Sequence, residues 1–178
     1  MKSVVVTGMG IVSCIGKDLQ KVLESLKKGK SGISKNAKYK EMGFRSHISG
    51  SVNINLADLI DRKTLRFMSE ASGFGYIAAQ EAITNASINL SEMNLSRIGI
   101  VAGSGGASSA AQIEASDVAR DRGPKRIGPY AVTKTMGSTV SAILGTTLKL
   151  RGVNYSISSA CSTSAHCIGH AAELIQLG

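Results

Sequence analysis

At 178 residues the chain is long enough to bury a core, and 43% hydrophobic residues with only two prolines place it outside the disordered and collagen-like classes. Its apolar stretches all fall short of the roughly 18 residues a membrane-crossing helix needs, so the composition reads as that of a soluble protein without a membrane partner. The formal net charge of +9 asks for an acidic partner.

In chain order, Lys2 to Thr7 is a nearly continuous β-branched run, which predicts a strand covered on both faces in a parallel sheet, with Gly8 and Gly10 turning the chain. A lipoprotein signal ending at Cys14 is disfavoured, because only Lys2 precedes a short apolar run that the two glycines interrupt. Leu19, Val22, Leu23 and Leu26 predict a helix from Asp18, its N-cap, to about Lys28, ended by Gly29 and Gly32. The lysines between Lys27 and Lys40 alternate with Gly, Ser and Asn and read as a solvated loop. From Ile60 to Ile83 the pattern predicts one buried helix, where Ala71, Gly73, Gly75, Ala78 and Ala79 let another backbone come close.

Arg97 to Ala102 predicts a second buried strand, running into Gly103-Ser104-Gly105-Gly106. Arg120, Arg122, Lys125 and Arg126 follow in a polar loop around Gly123-Pro124. Thr135 to Leu150 is small and apolar, with Val140, Ile143, Leu144 and Leu148 on one side. Val153 to Ile157 predicts a third strand, and from Cys161 to Leu177 Ala165, Ile168, Ala172 and Ile175 recur at helical spacing. Strands alternating with helices argue for an α/β fold with a largely parallel sheet and one core.

Several tempting motifs are incomplete. Gly8-Met9-Gly10 and Gly103-Ser104-Gly105 have Ser13 and Ser108 where a dinucleotide fingerprint needs its third glycine. His166 and His170 are four apart, but a third ligand and an HExxH glutamate are missing, so no metal is expected. Nucleic acid is a poor partner for the basic charge, since no recognition motif or stacking aromatic set accompanies it. Arg62, Lys63 and Arg66 form the tighter basic cluster, with Arg62 and Arg66 on one helix face, and an acidic protein surface suits it better. Cys14, Cys161 and Cys167 have spacings of neither a disulfide framework nor a CxxC site, which reads as a reducing, cytoplasmic setting.

Cys14 and Cys167 read as small core residues, but Cys161 differs. It lies where a strand gives way to a helix, among Ala160, Ser162, Thr163 and Ser164. A nucleophile on such a turn projects from the carboxyl edge of the sheet, and small neighbours leave room for the strained backbone and the substrate. The helix start adds a positive field and a candidate oxyanion hole. That field assists the thiolate without completing its activation, so a base or cationic partner is expected elsewhere. Sulfur of this kind suits acyl transfer between thioesters, being both nucleophile and leaving group.

NYSISSACSTSAHCIG, Asn154 to Gly169, closely resembles the active-site segment of the elongating β-ketoacyl-[acyl-carrier-protein] synthases. The blocks VTGMGIVSCIG, IDRKTLRFMSEAS, GIVAGSGG, IGPYAVTKTMGSTVSA and ELIQLG extend the resemblance over the whole chain, in order. It implies a thiolase-like layered α/β/α arrangement, the N-terminal half of a five-layered αβαβα fold, working as a homodimer. Cys161 is then the acyl acceptor, its backbone N–H one oxyanion donor. Gly105 and Met136 match positions lining the acyl tunnel, Met136 from across the dimer. Arg62, Lys63, Arg66, Arg122 and Lys125 match the surface that docks acidic acyl carrier protein. No cofactor is implied.

The same resemblance makes residues 1–178 the first half, ending after the nucleophile's helix, with two catalytic histidines, a lysine and a second oxyanion turn belonging to an absent second half. None of His47, His166 or His170 matches a catalytic histidine, and Gly169-His170-Ala171-Ala172 only looks like part of one such motif. The chain alone is therefore expected to be inactive in condensation, and a cut between halves to expose an apolar face. Two alternatives stay open: a thiolase or initiating condensing enzyme using a coenzyme A thioester, and a non-catalytic module that binds the carrier.

Overall fold

The computed structural model describes residues 2–178. Its helices are α1 (Leu19–Lys27), α2 (Ala37–Glu41), α3 (Arg62–Leu65), α4 (Glu70–Asn85), α5 (Ser109–Arg122), α6 (Ala131–Thr135), α7 (Thr139–Thr147) and α8 (Thr163–Leu177). The strands are β1 (Ser34–Lys35), β2 (Ile48–Ser49), β3 (Ile100–Val101) and β4 (Asn154–Tyr155). They group into two compact units, one of residues 7–55 and 77–87, the other of the remaining residues.

In the first unit, the Asp18 carboxylate caps α1 by accepting the Lys21 N–H at 2.8 Å, and Gly29, at φ +60°, ends it, as the sequence predicts. The lysine-rich stretch is not loop throughout: β1 and β2 pair antiparallel, with α2 between them. Its lysines are exposed all the same. Glu81 of α4 accepts the Ile11 N–H through Oε2 at 2.9 Å and the Leu19 N–H through Oε1 at 2.7 Å, fastening two segments to one helix. Gly8 and Gly10 lie against the α4 backbone at Ala82 and Ala78, where any Cβ would collide with a carbonyl.

The predicted strand Lys2–Thr7 is not formed. Val5 and Val6 are 74% and 78% exposed, and a parallel strand draws its stability from cover on both faces, which β-branched propensity does not replace. Just beyond, the Met9 N–H is accepted by the Asn85 side chain rather than by a neighbouring strand.

In the second unit the helix expected from Ile60 to Ile83 is broken into α3 and α4. Ser69 is the reason. Its hydroxyl takes the Ser72 N–H at 3.4 Å and its carbonyl takes the Ser72 hydroxyl at 2.9 Å, so a buried serine starts a new helix inside an otherwise continuous apolar pattern. Beyond it, β3 and β4 pair in parallel, Ile100 opposite Asn154, and α7 and α8 pack beside them. Ile143 and Leu144 of α7 are buried. The stripe predicted for α8 faces outward instead: Ile168 and Ile175 are 68% and 51% exposed, whereas Thr163 and Cys167 are buried. The helix is oriented by what lies against β3, and the stripe's spacing does not reveal that.

Candidate active site

The chain leaves β4 at Tyr155 and reaches a tight turn. Ala160 sits at φ +46°, in the left-handed region that a Cβ disfavours, and opens a short 3₁₀ turn, Ala160–Ser162, that runs into α8. Two hydroxyls hold it. Thr163 Oγ1 accepts the Ser159 N–H at 2.8 Å and donates to the Ala160 carbonyl at 2.9 Å, while Ser162 Oγ donates to the Ser159 carbonyl at 2.9 Å. Thr163 is 3% exposed, so its two bonds are partly shielded from competing water, whereas the Ser162 bond is exposed.

Cys161 occupies the middle of this turn and is exposed. Ser162, at the N-cap of α8, makes no capping bond with its side chain. The Ser162 N–H is taken by the Ser159 carbonyl at 3.0 Å and the Thr163 N–H by the Ala160 carbonyl, so backbone bonds close the turn on both sides of Cys161. The loop after β3 approaches from the other side: a Cβ on Gly105 would lie 3.1 Å from the Ala160 carbonyl, and one on Gly103 would strike the Ile157 carbonyl and come within 2.9 Å of the Thr163 methyl. Two segments some sixty residues apart in sequence are thus small where they meet. The structure brings Gly105 to the turn that carries Cys161.

The other candidates lie elsewhere. Met136 closes α6, 36% exposed, where its carbonyl accepts the Thr139 hydroxyl at 2.7 Å; the role expected for it needs a second copy of the chain. His170 Nδ1 is 2.9 Å from Glu173 Oε2, and its ring meets Tyr155 edge-on at 5.7 Å, a packing role within α8. His166 is exposed. Among the described residues no group of three or more His, Cys, Asp or Glu could hold a metal ion. Cys167 is buried as expected, but Cys14 is not: the Ser13–Gly16 reversal leaves it exposed, at a cavity of about 370 Å³ that Lys17, Lys21 and Lys28 also line.

The basic residues lie in two places, at α3 and at the end of α5. Asp61 caps α3, its Oδ1 accepting the Lys63 and Thr64 N–H groups at 3.0 and 3.1 Å, and Arg62, Lys63 and Arg66 project from it, all exposed. Arg122 ends α5 and Lys125 follows in the turn after Gly123, both exposed. Among the described residues the ion pairs are Lys21–Glu24, Lys28–Glu24, Arg120–Asp117 and His170–Glu173, so none of these five cations is neutralised. A pair of rings that the sequence does not announce lies against Arg66. The Arg66 guanidinium lies 4.9 Å from the centre of Phe67 and 5.1 Å from that of Tyr130.

Hydrogen bonds from the Thr64 side chain and N–H hold the Asp61 carboxyl below its ordinary value. A depressed folded value means that the cap contributes fully above the ordinary aspartate range and is lost as pH falls through the lowered value. Asp61→Ala is therefore expected to lower the unfolding midpoint at neutral pH and to shrink its decline toward about pH 3, as read by thermal unfolding across that range. An unchanged acid limb would show that the cap carries no such contribution.

The chain is 52% identical over its whole length to 3-oxoacyl-[acyl-carrier-protein] synthase 1 of Haemophilus influenzae and equally to that of Escherichia coli K12, covering 44% of each. It is 33% identical to 3-oxoacyl-[acyl-carrier-protein] synthase 2 of Staphylococcus aureus, over 99% of the chain and 43% of that protein. The chain thus spans less than half the length of these relatives. Among solved structures, a β-ketoacyl synthase from Burkholderia phymatum superposes on all of it with a TM-score of 0.84 at 22% identity, covering 44% of that chain. A type II polyketide ketosynthase solved in complex with its acyl carrier protein superposes with a TM-score of 0.76 at 20% identity, covering 48% of that chain. The expected α/β, thiolase-like fold is the fold of these enzymes. Since the family pattern for the β-ketoacyl synthase N-terminal domain also matches residues 1–178 from end to end, the chain belongs to the β-ketoacyl synthases.

Proposed function

We propose that residues 1–178 form the N-terminal half of an elongating β-ketoacyl-acyl-carrier-protein synthase, with Cys161 as its acyl acceptor. The single observation that supports this most is the exposed sulfur of Cys161 on a strained turn at the start of α8, with Gly105 beside it. In this reading the Cys161 thiolate attacks the carbonyl of an acyl-phosphopantetheine thioester. A new C–S bond forms at Cys161, the old one breaks, and the carrier thiol leaves with a proton. Malonyl carrier then loses CO2, and the resulting carbanion attacks the acyl-Cys161 carbonyl, expelling the Cys161 thiolate and lengthening the acyl chain by two carbons. The carrier's thioesters supply the activation, so the reaction calls for no cofactor. Gly105 and Met136 line the acyl path, Met136 from the second subunit of a homodimer, and the enzyme works in the cytoplasm.

The decarboxylating step calls for donors to the thioester oxygen where the enolate forms, and the histidines here do not match that role: His170 is engaged with Glu173, and His166 and His47 match no catalytic position. Incubating the chain with acyl-carrier protein is expected to give an acyl adduct on Cys161, found by intact mass and peptide mapping, with no CO2 release from malonyl carrier. Carrier binding without any adduct would defeat the nucleophile and leave a binding module. Robust decarboxylation would defeat the assignment of that step to another part of the protein.

Arg62, Lys63, Arg66, Arg122 and Lys125 dock the acidic carrier. The double reversal Arg62→Glu with Lys63→Glu should weaken carrier binding about ten-fold or more, and the loss should shrink as salt rises. Equal affinity at low salt would remove α3 from the docking surface.

A further inference from the structure

Resting on the docking reading above, we infer that Tyr130 and Phe67 are positioning residues that hold the Arg66 guanidinium ready for a carboxylate of the carrier. Arg66 is exposed and has no ion pair among the described residues. A free arginine of this kind explores many rotamers, and fixing one on binding carries an entropic cost. Here the side chain is already held. Its guanidinium carbon lies 4.9 Å from the Phe67 ring centre and 5.1 Å from that of Tyr130. The two rings meet edge-on at 4.8 Å and 77°, forming a corner that the cation occupies. Cation–π contact uses the face of the guanidinium and leaves its N–H fork free for a bidentate carboxylate.

The contact also has a consequence for the shape of the surface. Phe67 follows α3 directly, whereas Tyr130 lies just past the turn that bears Lys125 and Arg126, and Tyr130 is anchored by its carbonyl, which accepts the Thr133 hydroxyl at 2.9 Å and the Lys134 N–H at 3.1 Å. The stack therefore joins the segment after α3 to the segment that opens α6, so the position of Arg66 depends on both. The partner it fits is an acidic carrier surface that offers a carboxylate to the Arg66 fork.

The test is a double-mutant cycle on the affinity of the chain for acyl carrier protein, measured by titration at low salt. Tyr130→Leu is expected to weaken binding about 2- to 10-fold, the range for losing one preorganised side chain. Tyr130→Phe, which keeps a ring, should stay within about two-fold of the unsubstituted chain, and in an Arg66→Ala background Tyr130→Leu should have no further effect. Arg66→Lys, which keeps the charge and leaves Tyr130 undisturbed, should weaken binding in the same direction and guards against a misfolded Tyr130→Leu protein. An undiminished Tyr130→Leu effect in the Arg66→Ala background, or a Tyr130→Phe loss as large as that of Tyr130→Leu, would overturn the positioning role while leaving docking intact. No carrier binding by the unsubstituted chain would instead overturn the docking reading on which the role rests.

Discussion

Replacing Cys161 by alanine is expected to abolish transfer of an acyl group from carrier to chain, a fall of roughly 10³-fold or more, because in the proposed reaction the thioester forms on that sulfur. The other thiols do not substitute for it: Cys167 is buried, and Cys14, though exposed, belongs to a different turn in the first unit. Cys161→Ser separates presentation from chemistry. It keeps a small hydroxyl in the same turn but replaces the thiolate with an oxygen that stays protonated, so acylation should still be lost while carrier affinity is kept. Acyl adducts would be followed by intact mass for each variant. An Cys161→Ala chain that still acquires one acyl group would place the nucleophile elsewhere.

Thr163→Val is the second large effect, and it separates the turn from the sulfur. Valine matches threonine in shape but removes the hydroxyl that accepts the Ser159 N–H and donates to the Ala160 carbonyl. Leaving a shielded backbone donor unpaired costs about 1–3 kcal/mol. The left-handed Ala160, at φ +46°, then keeps only the Ser162 hydroxyl and the backbone bonds of the turn to hold it. Stability should drop by about that 1–3 kcal/mol in denaturant titration, and Cys161 should react more slowly with an acyl-like thiol reagent, by about 10- to 100-fold if the sulfur shifts by an ångström. Thr163→Ser should recover most of both. Equal stability and equal reactivity in Thr163→Val would mean that the hydroxyl does not hold the turn.

The turn is also where reading residues and seeing them assembled differ most. The residue types around Cys161 announce a strand, a tight turn and a helix, since small residues and a lone cysteine at such a junction have few other uses. They do not announce that Thr163 supplies the bonds, because a threonine at the start of a helix has several possible partners and sequence does not choose among them. Gly105 was legible only through the family resemblance. Its approach to Ala160 depends on the parallel pairing of β3 with β4, which sets the two loops side by side.

Charge shows the same division. The spacing of Arg62, Lys63 and Arg66 predicts one helix face; α3 forms with Asp61 as its cap, and Arg66 sits just past its end as the C-cap. The stack of Arg66 on Tyr130 crosses 64 positions of sequence and leaves no local trace. Elsewhere local signals misled where tertiary burial decided: the valines of Lys2–Thr7 lack the cover that makes a parallel strand, and Ser69 interrupts a helix that hydropathy alone would have continued.

Legible from residues a few positions apart were the Asp18 cap of α1, the mixture of α and β elements, the position of Cys161 at a strand-to-helix junction and the surplus of positive charge. Only the tertiary structure decided which hydroxyl fixes the cysteine's turn, which glycine reaches it, which face of α8 is buried and which rings hold Arg66. Those outcomes depend on contacts between distant segments, whose free energy is set by burial and geometry rather than by the order of neighbouring residues.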